Sequence, residues 1–350
     1  VGAYSTNYLP ISLTNIIVRG GYLDQRVFQS CQYIEDINVI ATKSTIIYNY
    51  TFYGCKRLTD VALPASPITR IDMQAFYDCG SLVNMTLPFA GYEKTSNTTN
   101  IQSLFGYIFG SSSYTGARAI YQAYNYSSNA PANRNINTSN SSYNYRFYIP
   151  TSLKKITILG GNVAWGTFSN LVDVKEIILP NAFYKDNGNT NTLRYTFYGC
   201  TNLERVYIPT STIDNITEYT FGGCYRLKEV TLPFIGYQRN YTSNNTNARF
   251  GYVFSQSYYN ETYTPSSYYY QDVTGWRIPK SLEKITILGN NNIYTSAFDG
   301  LKYVKEINLP NHYNDTKIYD YAFRNCTSLE SITIPNGFKT IGNYAFQNCS

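Results

Sequence analysis

The sequence predicts an α/β repeat fold: a solenoid with a narrow parallel β-sheet on one side and short helical or irregular turns on the other. Three observations carry this. A Phe-x-x-Cys signature recurs along the chain, twice as the same word, YTFYGC, at Tyr50–Cys55 and Tyr195–Cys200. A second pattern, Leu-x-x-Val/Ile-x-Leu/Ile and usually Pro, follows it. The two return together at a near-constant interval, which is the mark of stacked units.

The strand of each unit comes first. Its leading apolar position is Leu13, Ile34, Leu58, Leu82, Leu153, Val174, Leu203, Leu227, Leu282, Val304 and Leu329, which makes eleven units. The interval is 24 residues at 34 to 58, 58 to 82 and 203 to 227, with 21, 22, 25 and 29 as neighbours. A period of about 20 to 29 residues with this pattern is that of leucine-rich repeats. In Leu58-x-x-Val61-x-Leu63 the apolar residues alternate, as in a strand with one buried face. Pro64 ends the strand because it has no N–H to donate. One unit cannot bury its apolar face alone, so the units must stack into a continuous sheet and core. The expected solenoid is right-handed.

The turn of each unit comes next. Phenylalanine and cysteine are expected in the core as Phe28 with Cys31, Phe52 with Cys55, Phe76 with Cys79 and Phe197 with Cys200. Phe221 with Cys224, Phe323 with Cys326 and Phe346 with Cys349 complete the series. Metal binding does not fit, because none of the seven cysteines forms Cys-x-x-Cys and the single histidine, His312, is distant from most of them. Disulfides fit poorly. The count is odd, and equivalent side chains on stacked coils point the same way. Leu171 after Phe168 and Leu301 after Phe298 take the cysteine's place. The position therefore reads as a small apolar slot holding a free thiol.

A longer period lies above the short one. The intervals 82 to 153 and 227 to 282 exceed one unit. Both contain the same variant, LPFAGY…LFGYIF and LPFIGY…RFGYVF, then an insertion, 110–146 or 255–276. The chain is thus one solenoid over 1–350, in cassettes of about 9–147, 148–278 and 279–350. The third cassette is incomplete and both ends look like cuts, so a longer protein is expected, with a twelfth strand beginning just past Ser350.

Composition narrows the function classes. Charged residues are 14% of the chain, tyrosine numbers 38, and the net charge is +6. A polar but weakly charged surface points to an extracellular or cell-surface setting. No Lys/Arg run suggests a nucleic-acid partner, and no stretch reaches the ~18 apolar residues of a membrane span. No phosphate loop, dinucleotide fingerprint or carboxylate pair is present, and His312 has no evident catalytic partner, so neither enzyme activity nor a cofactor is expected.

Two surfaces remain as candidate contact sites. The exposed strand column should run Ile17, Asn38, Ala62, Thr86, Thr157, Ile178, Tyr207, Thr231, Thr286, Asn308 and Thr333. Asp and Glu alternate with Lys beside it, as in LEKI and VKEI. The insertions carry Tyr121, Tyr124, Tyr126, Tyr143, Tyr145, Tyr258, Tyr259, Tyr263, Tyr268, Tyr269, Tyr270 and Trp276. With Tyr207 these are the candidate ligand-binding residues. Their Tyr, Ser, Asn and Gly palette is that of adaptable binding loops. The same tyrosines could instead pack back on the solenoid.

The run YAFRNCTSLESITIPNGFKTIGNYAFQNCS, Tyr321 to Ser350, closely resembles the BspA-like subfamily of leucine-rich-repeat proteins. Ile334-Pro335, Ile341-Gly342, Ala345-Phe346 and Cys349 match its unit. The FGYIF segments resemble variants in gut Firmicutes proteins. The resemblance implies a secreted or surface protein of gut or oral bacteria, a subfamily also expanded in some protists. It implies adhesion, host-protein or matrix binding, or co-aggregation. The expected role is therefore a binding or adhesion module for host protein or glycan. The alternative is a spacer or self-associating surface protein with no ligand of its own in this segment.

Overall fold

The computed structural model describes residues 12–19, 23, 25–40, 44–94, 101–123, 144–181, 191–209, 213–238, 246–254, 266–271, 275–289, 292–311 and 316–349. Every expected unit contributes one strand to a single parallel sheet of 11 strands, laid side by side in chain order. The sheet opens with Asn15–Arg19, Asp36–Ile40 and Asp60–Ala62, and closes with Lys284–Ile287, Glu306–Asn308 and Ser331–Thr333. The register is in step throughout. Ile37, Val61, Met85, Ile156, Ile177, Val206, Val230, Ile285 and Ile307 form one inward column, all buried.

Proline stops most strands at the same height. Where the stop is Leu159 or Leu288 instead, the N–H donates to Leu87 or Leu232 of the preceding strand, each at 2.9 Å. Opposite the main sheet lie short two-stranded parallel ladders, such as Thr45–Ile47 with Ile68–Ile71 and Thr316–Ile318 with Phe338–Ile341. The short helices are 3-10 turns at Ile101–Ser103, Phe105–Ile108, Thr246–Ala248 and Phe250–Val253.

The Phe-x-x-Cys turn has a common geometry. Two residues flanking the phenylalanine, two before and two after, take the left-handed conformation: Tyr50 and Gly54 around Phe52, Tyr195 and Gly199 around Phe197, Tyr321 and Asn325 around Phe323. This folds the chain tightly around a ring that points inward. It also turns the backbone N–H groups toward the next coil. Tyr50 donates to Gln74 O, Phe52 to Ala75 O and Gly54 to Tyr77 O, at 3.3, 2.9 and 3.0 Å. The turn's backbone is thereby satisfied by stacking rather than by a helix.

The rings stack as one ladder in the order Phe28, Phe52, Phe76, Phe109, Phe105, Phe168, Phe197, Phe221, Phe254, Phe250, Phe298, Phe323, Phe346. Successive centroids are 4.8 to 6.2 Å apart. Each FGY segment contributes two rungs. The ladder and the inward face of the sheet make one continuous core.

The cysteines do more than fill a slot. All but Cys31 reach back to the phenylalanine carbonyl of the preceding coil, for example Cys55 to Phe28 and Cys79 to Phe52 at 3.0 Å, Cys200 to Phe168 at 3.0 Å and Cys326 to Phe298 at 3.2 Å. That same carbonyl also accepts the N–H of its own coil's cysteine, as Phe52 O does from Cys55 at 3.2 Å. All seven are free thiols; Cys349 is half-buried and the others are buried.

Candidate binding surface

The outward column runs as the alternation of the strands predicts. Ile17 pairs with Asn38, Ala62 with Thr86, Ile178 with Thr157 and Tyr207, and Asn308 with Thr333. Five of its eleven residues are threonine, and most of the column is half-buried. Both ends are exposed, at Ile17 (56%) and Thr333; in the middle Tyr207 is 38% exposed, and Leu159, two residues beyond Thr157, is 40% exposed, with half-buried Ile178 between their strands.

Beside this column the alternating charges pair across strands. Lys155 meets Glu176 at 3.3 Å, Arg205 meets Glu229 at 3.6 Å and Lys284 meets Glu306 at 2.9 Å. One residue earlier, Glu204 is held between Lys228 at 2.8 Å and Lys175 at 3.1 Å. Hydrogen bonds from those two lysines lower the Glu204 carboxyl below its ordinary value. The charged row is therefore largely self-neutralised beside the column that holds Ile178 and Tyr207.

The insertions begin as antiparallel hairpins. The first pairs Ala117–Ala123 with Asn144–Pro150, and the second pairs Tyr268–Gln271 with Trp276–Pro279. Each lies across an FGY segment, and the glycine of that segment permits it. A Cβ on Gly106 would sit 2.4 Å from the Phe147 ring, and one on Gly251 2.6 Å from Trp276 Cβ. Each hairpin also inserts a buried glutamine. Gln122 accepts from Gly106 N at 2.8 Å and donates to Thr167 O at 2.9 Å. Gln271 accepts from Gly251 N at 2.6 Å and donates to Ala297 O at 3.0 Å. The two glutamines have no signal in the sequence. The FGY glycine, set between aromatics, could have been recognised as a close-approach site.

The expected insertion residues divide three ways. Tyr124, Tyr126, Tyr143, Tyr258, Tyr259 and Tyr263, like His312, lie outside the described residues. Tyr269 and Trp276 correct the expectation of exposed aromatics, being 9% and 2% exposed. Strand alternation turns Tyr269 and Gln271 inward once Tyr268 and Tyr270 face out. Trp276 packs edge-on to Tyr252 at 5.4 Å. The outward set is Tyr270, 46% exposed, with half-buried Tyr121 and Tyr268, whereas Tyr145 shares the inward face with Phe147 and packs against the core. The structure does not merge Tyr207 with them: Tyr207 stands on the sheet, and the others stand on the hairpins.

A repeat-family match and one solved structure agree with this architecture. The family description "BspA type Leucine rich repeat region" matches residues 21–139, 140–250 and 261–350, in 6 copies. No curated protein sequence matched the chain. Among solved structures, the TLR13–ssRNA13 complex matches with TM-score 0.56 and 14% identity, covering 95% of this chain and 40% of that one. A leucine-rich-repeat protein from Bacteroides ovatus matches with TM-score 0.20 and 18% identity over 97% of this chain and 63% of that one. A leucine-rich cell surface protein from Faecalibacterium prausnitzii matches with TM-score 0.28 and 18% identity over 96% and 77%. The chain thus spans less than two thirds of the first two structures. With repeats matched over most of its length, the chain belongs to the BspA-type leucine-rich-repeat family.

Proposed function

We propose that this segment is an extracellular or cell-surface binding module for a host protein or glycan, working through the sheet face and the outward tyrosines of the hairpins. One observation carries the reading. Leu159 and Tyr207 are exposed on the sheet with half-buried Ile178 between their strands, bordered on one side by the Lys155–Glu176 and Arg205–Glu229 pairs. Apolar and aromatic side chains bordered by polar ones are the anatomy of a protein-recognition surface. Tyrosine and arginine are the side chains that most often anchor one. The rigid sheet beneath presents it without an ordering cost. The weakly charged, tyrosine-rich composition supports the extracellular setting. No catalytic role, cofactor or nucleic-acid partner is part of the proposal.

The test is a screen of the chain on extracellular-matrix protein and glycan arrays, beside Tyr207→Ala and a version with both hairpins shortened. The expected result is retention of matrix protein by the parent and at least tenfold weaker retention by Tyr207→Ala. Absence of binding by all three would overturn the module. Equal binding by the parent and Tyr207→Ala would remove the sheet centre.

A second reading has its own support. Gln122, Gln271 and Trp276 tie the described parts of both insertions back onto the solenoid. That is what a stiffened spacer would show, and it is the outcome a silent array would favour.

A further inference from the structure

Six consecutive strands of the sheet, from Lys155–Ile158 to Glu306–Asn308, begin with charges of strictly alternating sign: Lys155, Glu176, Arg205, Glu229, Lys284 and Glu306. Each pairs sideways with a neighbour, and the six side chains keep between 28% and 51% of their surface exposed. Exposed pairs of this kind add little to the stability of one chain. Their order has a further consequence. An alternating row with an even number of members is its own complement when reversed. Lys155 then faces Glu306, Glu176 faces Lys284, and Arg205 faces Glu229.

A second copy supplies that reversal. It would lie face to face with the first, turned by half a turn about an axis along the strands, midway between Arg205–Tyr207 and Glu229–Leu232. The same axis sets exposed Tyr207 one strand step, ~4.8 Å, from its counterpart. That lies within the range at which aromatic rings pair. Large side chains then fall over small ones, Tyr207 over Thr231 and Ile178 over Thr286, as in an interdigitated core. In the row just before the charges, Lys175 falls over Glu283 and Glu204 over Lys228. Lys154 and Lys305 are the one like pair, and the Lys154 ammonium is turned onto Thr151 O at 2.6 Å and Asp173 O at 3.3 Å. The flanking strands add uncharged Asn84 and Ser331, which face each other. Moving the axis onto either neighbouring strand sets like charge on like, so the arrangement also rejects the adjacent registers. All of these residues are among those described. The first hairpin leaves this face, running from Arg118, paired with Asp173, to Ala123, packed against Tyr195 and Tyr198 of a Phe turn.

We infer that this face of the sheet is a docking surface for a second copy of the chain, with Tyr207 and its counterpart at the centre and the charge row fixing the register. The inference goes beyond the binding-module reading and does not depend on it. The row spans five strand steps, about 24 Å, and the outward positions run about 13 Å along each strand at ~3.3 Å per residue. A face of that size makes a weak, reversible dimer. In it the charges select the register more than they supply affinity.

Sedimentation equilibrium from micromolar to millimolar concentration, at low and high salt, tests this on the parent, Arg205→Glu, Glu229→Arg and an equimolar mixture of the two variants. The parent should dimerise, and more weakly at high salt. Each single variant sets like charges face to face on both sides of the axis and should weaken the dimer at least tenfold. The mixture restores opposite charges at both places and should associate as the parent does. Mixing cannot repair a defect within either chain, so the rescue reads a contact between copies. Unchanged circular dichroism and thermal unfolding of each variant exclude a folding defect. A monomeric parent, single variants that dimerise as the parent does, or a mixture that stays monomeric overturns the inference. Retention of a matrix protein by a monomeric parent would leave the module reading standing.

Discussion

At the residue scale, the word YTFYGC resolves into six jobs. Tyr50 takes the left-handed conformation and bonds Gln74 through its hydroxyl at 2.8 Å. Thr51 is buried and caps Tyr48 O at 2.9 Å. Phe52 joins the ring ladder, while Tyr53 stacks outside on Tyr77 at 5.4 Å. Gly54 supplies the second left-handed position, and Cys55 bonds the previous coil. The same word nonetheless predicts different costs in its two copies. A Cβ on Gly54 would meet nothing closer than Ser30 Oγ at 3.5 Å, so Gly54→Ala should cost only the conformational penalty, about 1 kcal/mol. A Cβ on Gly199 would lie 2.1 Å from Asn170 Oδ1, and the Asn170 amide holds Tyr121 O at 2.6 Å. Gly199→Ala should cost about 2 to 3 kcal/mol. Chemical denaturation of the two variants checks the order. The thiols offer a second prediction. Burial pushes Cys31 up to about 11 and Cys200 up to about 12, and raises Cys79 and Cys224 well above the usual thiol value. Half-buried Cys349 is lowered instead, through its neighbour Cys326. A lowered value means more thiolate at neutral pH, and the thiolate is the nucleophile. Alkylation of the native chain should modify Cys349 first. Mass mapping that finds Cys79 or Cys224 reacting equally fast would contradict this.

At the element scale, the FGY segment and its hairpin form one unit. Phe105 and Phe109 continue the ladder, Gly106 admits Phe147, and Tyr107 packs edge-on to Tyr92 at 5.8 Å. Gly106→Ala would drive a methyl into the Phe147 ring. The expected cost is about 2 to 3 kcal/mol, with faster hydrogen exchange confined to Ala117–Ala123 and its partner strand. Uniform exchange along the whole chain would count against this division. The strands and the turn were legible because alternation and the recurring Phe-x-x-Cys are local patterns. The two-stranded ladders opposite the sheet had only short signals, such as Thr45–Ile47 and Ile68–Ile71, too brief to separate from loop. Gln122 and Gln271 were not legible. A glutamine in a strand reads as solvent-facing until the carbonyls of Thr167 and Ala297 are brought to it from another coil.

At the scale of the whole molecule, the chain is a stack in which each coil touches its neighbours, so its stability is close to a sum of nearest-neighbour terms. Phe105 and Phe109 are the rungs joining Phe76 to Phe168. Replacing both with alanine removes two buried rings at one joint, at about 3 to 5 kcal/mol each. Denaturant unfolding should then split into two transitions, one for the coils on each side. A single transition shifted as a whole would show the stack to be more tightly coupled than that. Local periodicity was enough to specify the number of strands, their register and the inward ring, because each of these depends on residues within one repeat. It also placed Tyr207 in the outward column. What depended on tertiary structure was the direction of individual insertion side chains. Tyr268, Tyr269, Tyr270 and Trp276 are alike in composition, yet two face outward and two pack inward. Which ones do so is decided by where Gly251 lets the hairpin settle, a contact between segments that are distant in sequence.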